Sequence, residues 1–452
     1  MLKFTMKNVW HKHERTQIEH FSRQYADFMN TARTERMVIC EAEKMLKEAG
    51  FVDIEHFDGT QNKVYAVNRA KSLVAVRLVG KLQDGLNLLA AHIDSPRLDL
   101  KPQPIFEEEN VALARTQYYG GVKKYQWFSL PLELHGFVVR TDGEVVEIHL
   151  GQCCEDPVFV IPDLLPHLDK EDALVSQKFD AEKLSVILGT IPLAGQEKEA
   201  VKMYVLKILK ERYSIEEEDF VSAEFQLVPA LKARSVGLDE SLLGAYGHDD
   251  RVCGYTALRA LIEAEGAKRS CGVILFDREE IGSEGNAAAK ASFYVLFLKK
   301  ILKAQGCTDT SLGMDELFAK TNVISADVCP GVDPMFKDVH DVQNAAKLGY
   351  GVGLVKYTGS RGKSGASEAH AEFVAKVRKI LNEEKIAWQV ATLGKVDRGG
   401  GGTVAKFLAE KGACVLDMGP ALLGMHSPFE LVSKADLFET YRAYKALLEK
   451  LD

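Results

Sequence analysis

The chain has 452 residues, of which 46% are hydrophobic and 27% are charged, and its formal net charge is −8. Because this length exceeds what one simple core accommodates, we expect two domains, or one domain with a large insertion. The acidic balance, together with the lack of a basic tract interleaved with aromatic residues, excludes a typical nucleic-acid-binding protein.

The cysteines and the N-terminal residues bear on the compartment in which the protein works. Eight cysteines are scattered along the chain and none forms a Cys-x-x-Cys pair, which is typical of reduced proteins rather than of disulfide frameworks or thiolate zinc sites. Residues 1–7 lack the long apolar core of a signal peptide, and no apolar run approaches the length of a membrane span. We therefore predict a cytoplasmic protein with no membrane contact.

The N-terminal part of the chain has the pattern of an α/β domain. Apolar residues recur at helical spacing through 14–50, so this segment is predicted to be mostly helical. Strands are predicted at 63–67, 72–79 and 86–91. The last of these runs directly into His92 and Asp94, two side chains of types that bind metal or move protons.

The residue pattern then changes to short alternating strands and turns, which predicts an inserted domain that is largely β. Alternating strands are expected at 132–140 and 144–150, joined by a Thr-Asp-Gly hairpin turn. Residues 197–218 are charged and helix-prone. Because candidate site residues flank this region but are sparse within it, we predict a discontinuous domain and an insertion, with bounds at 1–96 plus 236–452 and at 97–235.

The α/β rhythm returns after the insertion, and its predicted elements again end in acids or histidine. A helix opens at Gly247, just before Asp249, and a last helix covers 435–451. Further elements are predicted as strands at 272–276, 322–326 and 414–418, an extended segment at 385–391, a helix near 287–304 and another after the glycines at 399–402. The buried strand at 272–276 runs into Asp-Arg-Glu-Glu, which is an expensive ending unless the carboxylates are paired or bind metal.

Strand ends and helix openings together deliver two imidazoles and five carboxylates, namely His92, Asp94, Asp249, Glu279, Glu280, Asp327 and His426. In α/β sheets, ligands gather beyond the carboxyl ends of the strands. Each residue alone has a structural alternative; for example, an acid at a helix opening often serves as a cap. Their joint occurrence after strands predicts a site for zinc, with cobalt or manganese as alternatives.

The donor set fits two metal ions that share one carboxylate. With three carboxylate ligands and neutral His92 and His426, the two divalent ions keep one positive charge, which favours a bridging hydroxide over water and lowers the water's pKa toward ~7. Glu279 is then predicted as the general base, and Glu280 as a ligand. Asp94 is predicted to hold the second imidazole nitrogen of His92.

These motifs resemble a known family. The sequence blocks His-Ile-Asp-Ser-Pro at 92–96, Asp-Asp-Arg at 249–251, Asp-Arg-Glu-Glu-Ile-Gly-Ser at 277–283, Ser-Ala-Asp at 325–327 and Gly-Met-His-Ser at 424–427 are similar to the successive motifs of the aspartyl aminopeptidase and vacuolar aminopeptidase I family of dinuclear metallopeptidases, metallopeptidase family 18. The resemblance covers almost the whole chain in order. It implies a phosphorylase/hydrolase-like α/β catalytic domain with a mixed sheet flanked by helices, interrupted by a β-rich dimerisation or lid domain.

The resemblance also implies roles for individual residues. His92, Asp249 and Asp327 would hold one metal, while Asp249, Glu280 and His426 would hold the other. The implied reaction is release of the N-terminal residue from a peptide with a free N-terminus, through the bridging hydroxide and Glu279.

Two further residues are candidate substrate contacts because they match family segments. His167 lies in Ile-Pro-Asp-Leu-Leu-Pro-His-Leu, which resembles the segment whose histidine enters a partner subunit's active site; a surface loop histidine is the alternative. Lys356 stands where a family lysine can pair an acidic substrate side chain, with a solvated strand lysine as the alternative. The two histidines that follow the Ser-Ala-Asp motif in the family are missing after Asp327, so the preferred N-terminal residue stays open.

The sequence also leads to an expected assembly and leaves two alternative functions open. The family resemblance implies a homo-oligomer, a dodecamer built from dimers. Another dinuclear-metal amide hydrolase, such as a deacylase or carboxypeptidase, is an alternative function, and a non-catalytic assembly or binding protein on the same fold is a third.

Overall fold

The computed structural model describes residues 6–170 and 172–452. Residues 1–5, part of the segment in which no signal peptide is predicted, lie outside these residues. The helices of the described chain are α1 (Arg15–Thr31), α2 (Glu35–Glu48), α3 (Val175–Lys178), α4 (Ala200–Tyr213), α5 (His248–Glu263), α6 (Phe293–Ala304), α7 (Thr310–Ala319), α8 (Ala371–Glu383), α9 (Ala405–Ala409) and α10 (Lys434–Lys450).

The strands of the same residues are β1 (Val52–Asp53), β2 (Lys63–Asn68), β3 (Ser72–Arg77), β4 (Leu86–His92), β5 (Arg97–Glu108), β6 (Val111–Tyr119), β7 (Leu132–Val139), β8 (Val145–Leu150), β9 (Ser185–Gly189), β10 (Ala223–Pro229), β11 (Arg234–Val236), β12 (Leu242–Ala245), β13 (Ser270–Phe276), β14 (Asn322–Ser325), β15 (Cys329–Pro330), β16 (Val352–Val355), β17 (Tyr357–Ser360), β18 (Ser364–Glu368), β19 (Trp388–Val390), β20 (Gly400–Gly401), β21 (Cys414–Gly419), β22 (Ala421–Leu423) and β23 (Glu430–Ser433). The predicted α/β class is confirmed.

The chain forms two compact units. The first unit contains the described residues up to 94 together with 233–425 and 430–452. The second unit contains 95–232 and the short segment 426–429. The chain therefore leaves the first unit just after β4 and returns to it just before β11.

A nine-stranded mixed sheet forms the centre of the first unit, in the order β1-β2-β3-β13-β4-β14-β21-β16-β19. Its middle strands β13, β4, β14 and β21 are mutually parallel, so their carboxyl ends lie at one edge. Every residue of β4 and β13 is buried, as expected of central parallel strands that are covered on both faces.

Two apolar cores cover the two faces of this sheet. Alternate residues of β4 point to opposite faces, so that Leu89 and Ala91 join one core while Leu88 and Ala90 join the other. The first core contains residues of α1, α2, α5, α8 and α10, and the second contains residues of α6, α7 and α9. The arrangement is a three-layer α/β/α sandwich.

An antiparallel six-stranded sheet, in the order β8-β7-β10-β5-β6-β9, dominates the second unit. The β7–β8 hairpin was predicted, whereas the long β5–β6 hairpin was not. Two prolines, Pro102 and Pro104, disguise β5 because they fall where the ladder shifts register between Leu100 and Ile105. The turn at Glu109 and Asn110 has positive φ angles of 47° and 62° without the glycine that usually marks such a hairpin turn.

None of the described helices combines the length and the hydrophobicity that a membrane crossing requires.

Candidate active site

Strand register brings the predicted residues of the first unit to one edge of the sheet. Phe276 of β13 pairs with His92 of β4, and Ser325 of β14 pairs with Ala90 of the same strand. Asp327 therefore leaves β14 level with His92, while the acids of 277–280 leave β13 beside it. Parallel pairing is the physical reason why separate sequence blocks converge.

The start of α5 supplies two further carboxylates. Gly247 precedes the helix with φ +76°, a conformation that favours glycine, and Asp249 and Asp250 have non-helical backbone angles. Both aspartates are buried, and the backbone N–H of Asp249 donates to Glu430 Oε2 at 2.9 Å. The irregular first turn aims these acids inward instead of leaving them as solvated caps.

His92 lies at the centre of the cluster. Its Nε2 atom is 3.2 Å from Asp249 Oδ1. Donor atoms of His92, Asp249 and Glu280 lie within 4.8 Å of one another, and so do those of His92, Asp250 and Asp327. The structure thus brings together four of the predicted ligands and adds Asp250, which was predicted only as part of a helix-opening motif.

Asp94 contacts both His92 and the loop that carries Glu279 and Glu280. Its backbone carbonyl lies 3.1 Å, and its Oδ1 atom 3.4 Å, from Nδ1 of His92. Its two carboxylate oxygens also accept the backbone N–H groups of Glu279 and Glu280, each at 3.1 Å. The residue is fully buried. It can therefore orient the imidazole and fix the loop that carries both glutamates.

The electrostatics of the cluster are those of a cation site. Burial raises the pKa of Asp327 well above its usual value, and the nearby charges of Asp249 and Glu279 raise it further. Burial likewise raises the pKa of Asp250, with Asp327 adding to the effect. Burial alone would lower the pKa of His92, but hydrogen bonds to Asp249 and Asp94 outweigh it and raise that pKa. So many buried acids are stable in their ionised form only beside positive charge.

The donor set fits a divalent metal. Neither carboxylate oxygen of Asp250 accepts a hydrogen bond from a nitrogen or hydroxyl group of the described residues, and the weak thiol donor of Cys253 is its hydrogen-bonding neighbour. A buried carboxylate in this state requires a cation or a proton. Imidazole and carboxylate donors without thiolate suit zinc, cobalt or manganese.

His426 belongs to the second unit. It has a φ of +66°, and its Nδ1 donates to the carbonyl of Gly121 at 2.9 Å. A Cβ atom at position 121 would lie 3.0 Å from that nitrogen, so the close approach favours glycine. This hydrogen bond leaves the imidazole lone pair on Nε2, as a metal-binding histidine requires. Its part in the metal site stays a prediction.

The two predicted substrate contacts lie on exposed segments. His167 is exposed in a turn of the second unit. Lys356, between β16 and β17, has its Nζ atom 3.0 Å from the Tyr357 hydroxyl and 4.0 Å from Glu368 Oε1. The tyrosine contact raises the pKa of Lys356. A role in substrate binding remains untested for both.

Some residues that the sequence analysis did not single out hold His248, the neighbour of Asp249, in place. The Tyr25 hydroxyl lies 2.9 Å from Nδ1 of His248, whose Nε2 lies 3.1 Å from the Leu243 carbonyl. His248 directly precedes Asp249. Helical spacing alone assigns Tyr25 to the core, and nothing in the sequence pairs it with position 248. Asp250 could have been found from its motif, whereas Glu430 had no signal.

Comparison with known proteins defines the class of this fold and site. The family model described as aminopeptidase I zinc metalloprotease (M18) matches residues 28–448, which places the chain among the metallopeptidases. The chain belongs to the M18 family of aminopeptidases, as the motif resemblance predicted.

Individual relatives agree with this assignment. A probable M18 family aminopeptidase 1 of Thermotoga maritima is 62% identical over the full length of both chains. A crystal structure of an M18 aminopeptidase from the same organism has a TM-score of 0.98 at 61% identity, covering 99% of this chain and 100% of that one. A dodecameric aminopeptidase of S. cerevisiae, at 19% identity, has a TM-score of 0.76 over 95% and 96% of the two chains and so shares the fold.

Proposed function

We propose that this enzyme is a two-metal aminopeptidase that releases the N-terminal residue of peptides with a free amino terminus. The observation that carries the proposal is the cluster at the carboxyl edge of the parallel strands, in which His92, Asp249 and Asp250 are buried and Glu280 and Asp327 are half-buried. Membership of the M18 family supports the same reaction class.

Five residues are proposed as metal ligands. His92, Asp249 and Asp327 would hold one ion, and Asp249 would share the other with Glu280 and with His426, which is assigned from its motif. Zinc is proposed as the metal from the family description, with cobalt or manganese compatible with the donors. When bound, the two ions would polarise the scissile carbonyl and make a hydroxide available near neutral pH.

Glu279 is proposed as the group that accepts the proton of the attacking water and passes it to the leaving amine. It adjoins a proposed ligand, and its charge acts on His92 and Asp327. The residue before it, Arg278, has a positive φ of 67°, and the two glutamates begin the 3₁₀ turn Glu279–Ile281, in which successive residues project about 120° apart. Asp94 holds both of their backbone N–H groups.

Self-association is proposed as well. The loop around His167 exposes the apolar residues Leu164, Leu165, Leu168, Leu174 and Val175. Such a concentration of exposed apolar side chains marks a contact surface, and a second copy of the chain is the proposed partner. His167 would then reach a partner's substrate. A dimer-based dodecamer is the proposed assembly.

A cytoplasmic location is also proposed. The eight cysteines are all free thiols, which fits a reducing environment.

The test is a panel of matched peptides incubated with zinc, cobalt or manganese. One set has free amino termini, a second carries N-terminal acetyl groups and a third has amidated carboxyl termini. We expect release of the first residue from the first and third sets, no release from the second, and loss of activity after chelation. Cleavage of acetylated peptides would favour a deacylase, cleavage confined to the C-terminal residue a carboxypeptidase, and no cleavage a binding protein.

A further inference from the structure

The β7–β8 hairpin of the second unit carries two facing imidazoles. His135 of β7 pairs directly with His149 of β8 in the antiparallel ladder, so both side chains lie on the same face of the sheet. Their Nδ1 atoms are 2.9 Å apart, and the ring centroids are 5.2 Å apart. The two Nδ1 atoms are therefore within hydrogen-bonding distance.

Each imidazole has a carboxylate at its other nitrogen. Nε2 of His135 lies 2.9 Å from Glu133 Oε2, and Nε2 of His149 lies 3.6 Å from Glu147 Oε2. A carboxylate at Nε2 favours the tautomer that keeps the proton there and leaves the lone pair on Nδ1. Histidines that bind metal have this outer partner almost without exception.

The protons of this pair can be arranged in two ways. If His149 carries its proton on Nδ1, it donates to Nδ1 of His135 and the neutral pair is satisfied, since Nε2 of His149, 3.6 Å from Glu147, is beyond hydrogen-bonding distance. The other arrangement attracts a cation. If both Nε2–H groups donate to carboxylates, both Nδ1 atoms carry lone pairs, and two lone pairs facing each other at 2.9 Å repel. A positive centre between the nitrogens, either a metal ion or an extra proton, removes the repulsion. A metal ion with bonds of 2.0–2.1 Å at a tetrahedral angle needs the nitrogens about 3.3 Å apart, a movement of a few tenths of an ångström.

The surroundings of the two imidazoles favour a metal ion over an extra proton. Glu133 and His135 are buried, while His149 is 38% exposed at its side chain, so one side of the pair is fixed and the other admits an ion with its water ligands. The ladder to β10 sets Gln226 opposite His135 and Glu224 opposite Phe137, which puts another acid on the same face. Glu133 and Glu147 contact the imidazoles and Glu224 lies on the same face of the sheet, so the local charge attracts a cation.

We propose that His135 and His149 form a metal site in the second unit that is separate from the active-site cluster. Its ligands would be the two Nδ1 atoms, completed by water, with Glu133 and Glu147 orienting the rings. Two imidazoles suit zinc, nickel or copper rather than magnesium or calcium. The bound ion would hold the two strands of the hairpin together.

The experiment uses the full-length protein and a copper(II)–iminodiacetate chelate, which has free positions for two imidazoles. Its binding is measured by electron paramagnetic resonance for the wild type, for His149→Asn and for His20→Asn, a control that removes an exposed histidine of α1. We expect wild type and His20→Asn to bind one more equivalent than His149→Asn, with the spectrum of two equatorial nitrogens at that site. Equal binding by wild type and His149→Asn would overturn the proposal and leave a hydrogen bond between the two imidazoles.

A second measurement guards against a folding defect of the first variant. Zinc added to wild type and His20→Asn should raise the melting temperature by more than it does in His149→Asn and in His149→Gln, because an ion that binds only the folded hairpin stabilises it. The same zinc-induced shift in all four proteins would contradict the site. Neither readout depends on peptidase activity.

Discussion

The carboxylate of Asp94 accepts the backbone N–H of Glu279 at 3.1 Å while its own backbone carbonyl lies 3.1 Å from the imidazole of His92. One buried side chain therefore links the end of β4 to the loop after β13. The proposed base and the proposed ligand depend on it for their relative position, although it need not touch either metal.

Replacing Asp94 by asparagine should lower kcat more than it lowers metal content. The amide can accept only one of the two N–H groups of Glu279 and Glu280, and it holds the His92 imidazole less firmly. Loss of such an outer partner costs about 10–100-fold in activity or metal affinity. Steady-state kinetics and metal analysis of the purified variant measure both quantities. Unchanged kcat would show that the cluster is positioned without Asp94.

Replacing Glu279 by glutamine should separate chemistry from metal binding. The side chain keeps its size and loses the ability to take a proton, so we expect kcat to fall by about 10²–10⁴-fold. Metal content should equal that of the wild type. For comparison, Glu280→Gln should lose metal as well as activity. Full turnover by Glu279→Gln would remove this residue as the base.

Replacing Asp250 by asparagine tests the residue that the structure added to the cluster. Its carboxylate lies within 4.8 Å of donor atoms of His92 and Asp327, and the thiol of Cys253 is its only hydrogen-bonding neighbour among residues 6–170 and 172–452. We expect metal affinity to fall at least about tenfold, because a nearby negative charge is lost. Asp417→Asn is the matched control, since Asp417 is also buried but is hydrogen-bonded to Ser325 and Thr403. Equal metal titration curves for wild type and Asp250→Asn would place position 250 outside the metal site.

Replacing Tyr25 by phenylalanine should reduce activity through His248. The variant removes the 2.9 Å hydrogen bond and leaves a buried imidazole nitrogen without its partner, at a cost of about 1–3 kcal/mol in stability. Because His248 adjoins Asp249, we also expect kcat to fall several-fold. Tyr65→Phe, which removes a 3.0 Å bond to Glu43, should lower stability only. Thermal melts and kinetics of both variants separate the two effects.

The pH dependence of stability should contain a contribution from Asp436 in α10. This carboxyl accepts the N–H groups of Gly349 and Gly351 at 2.6 and 2.7 Å, yet burial raises its pKa to about 7, from 3.8. The folded state thus favours the neutral acid. Its stabilising effect is complete below pH 3.8 and is lost as the pH rises through 7, by about 4 kcal/mol at 1.36 kcal/mol for each pKa unit.

Denaturant unfolding of the wild type and of Asp436→Asn between pH 4 and pH 8 measures this contribution. The variant should lose less stability than the wild type as the pH rises through this window. Asp315→Asn, at an exposed position of α7, serves as the control and should follow the wild type. Parallel curves for wild type and Asp436→Asn would show that this carboxyl is ionised throughout.

Local chemistry was enough to predict much of the chain. Largely apolar runs marked β4 and β13, since a strand buried on both faces has few polar residues, and acids directly after such runs signalled a site. The motif order then indicated the family, which the comparison confirmed. The β5–β6 hairpin escaped because prolines and a glycine-free turn hid it.

Distances across the chain were beyond the sequence. Residue type and spacing set periodicity, and periodicity determines which face is buried. Only the tertiary structure decides that Asp94 reaches the amides of Glu279 and Glu280, that Tyr25 meets His248, and that His135 faces His149. These contacts arise from the register of strands and the packing of helices, where side chains far apart in sequence meet because their backbones have paired. The sequence by itself therefore determined the donor types and the family, while the fold decided which donors share a neighbourhood.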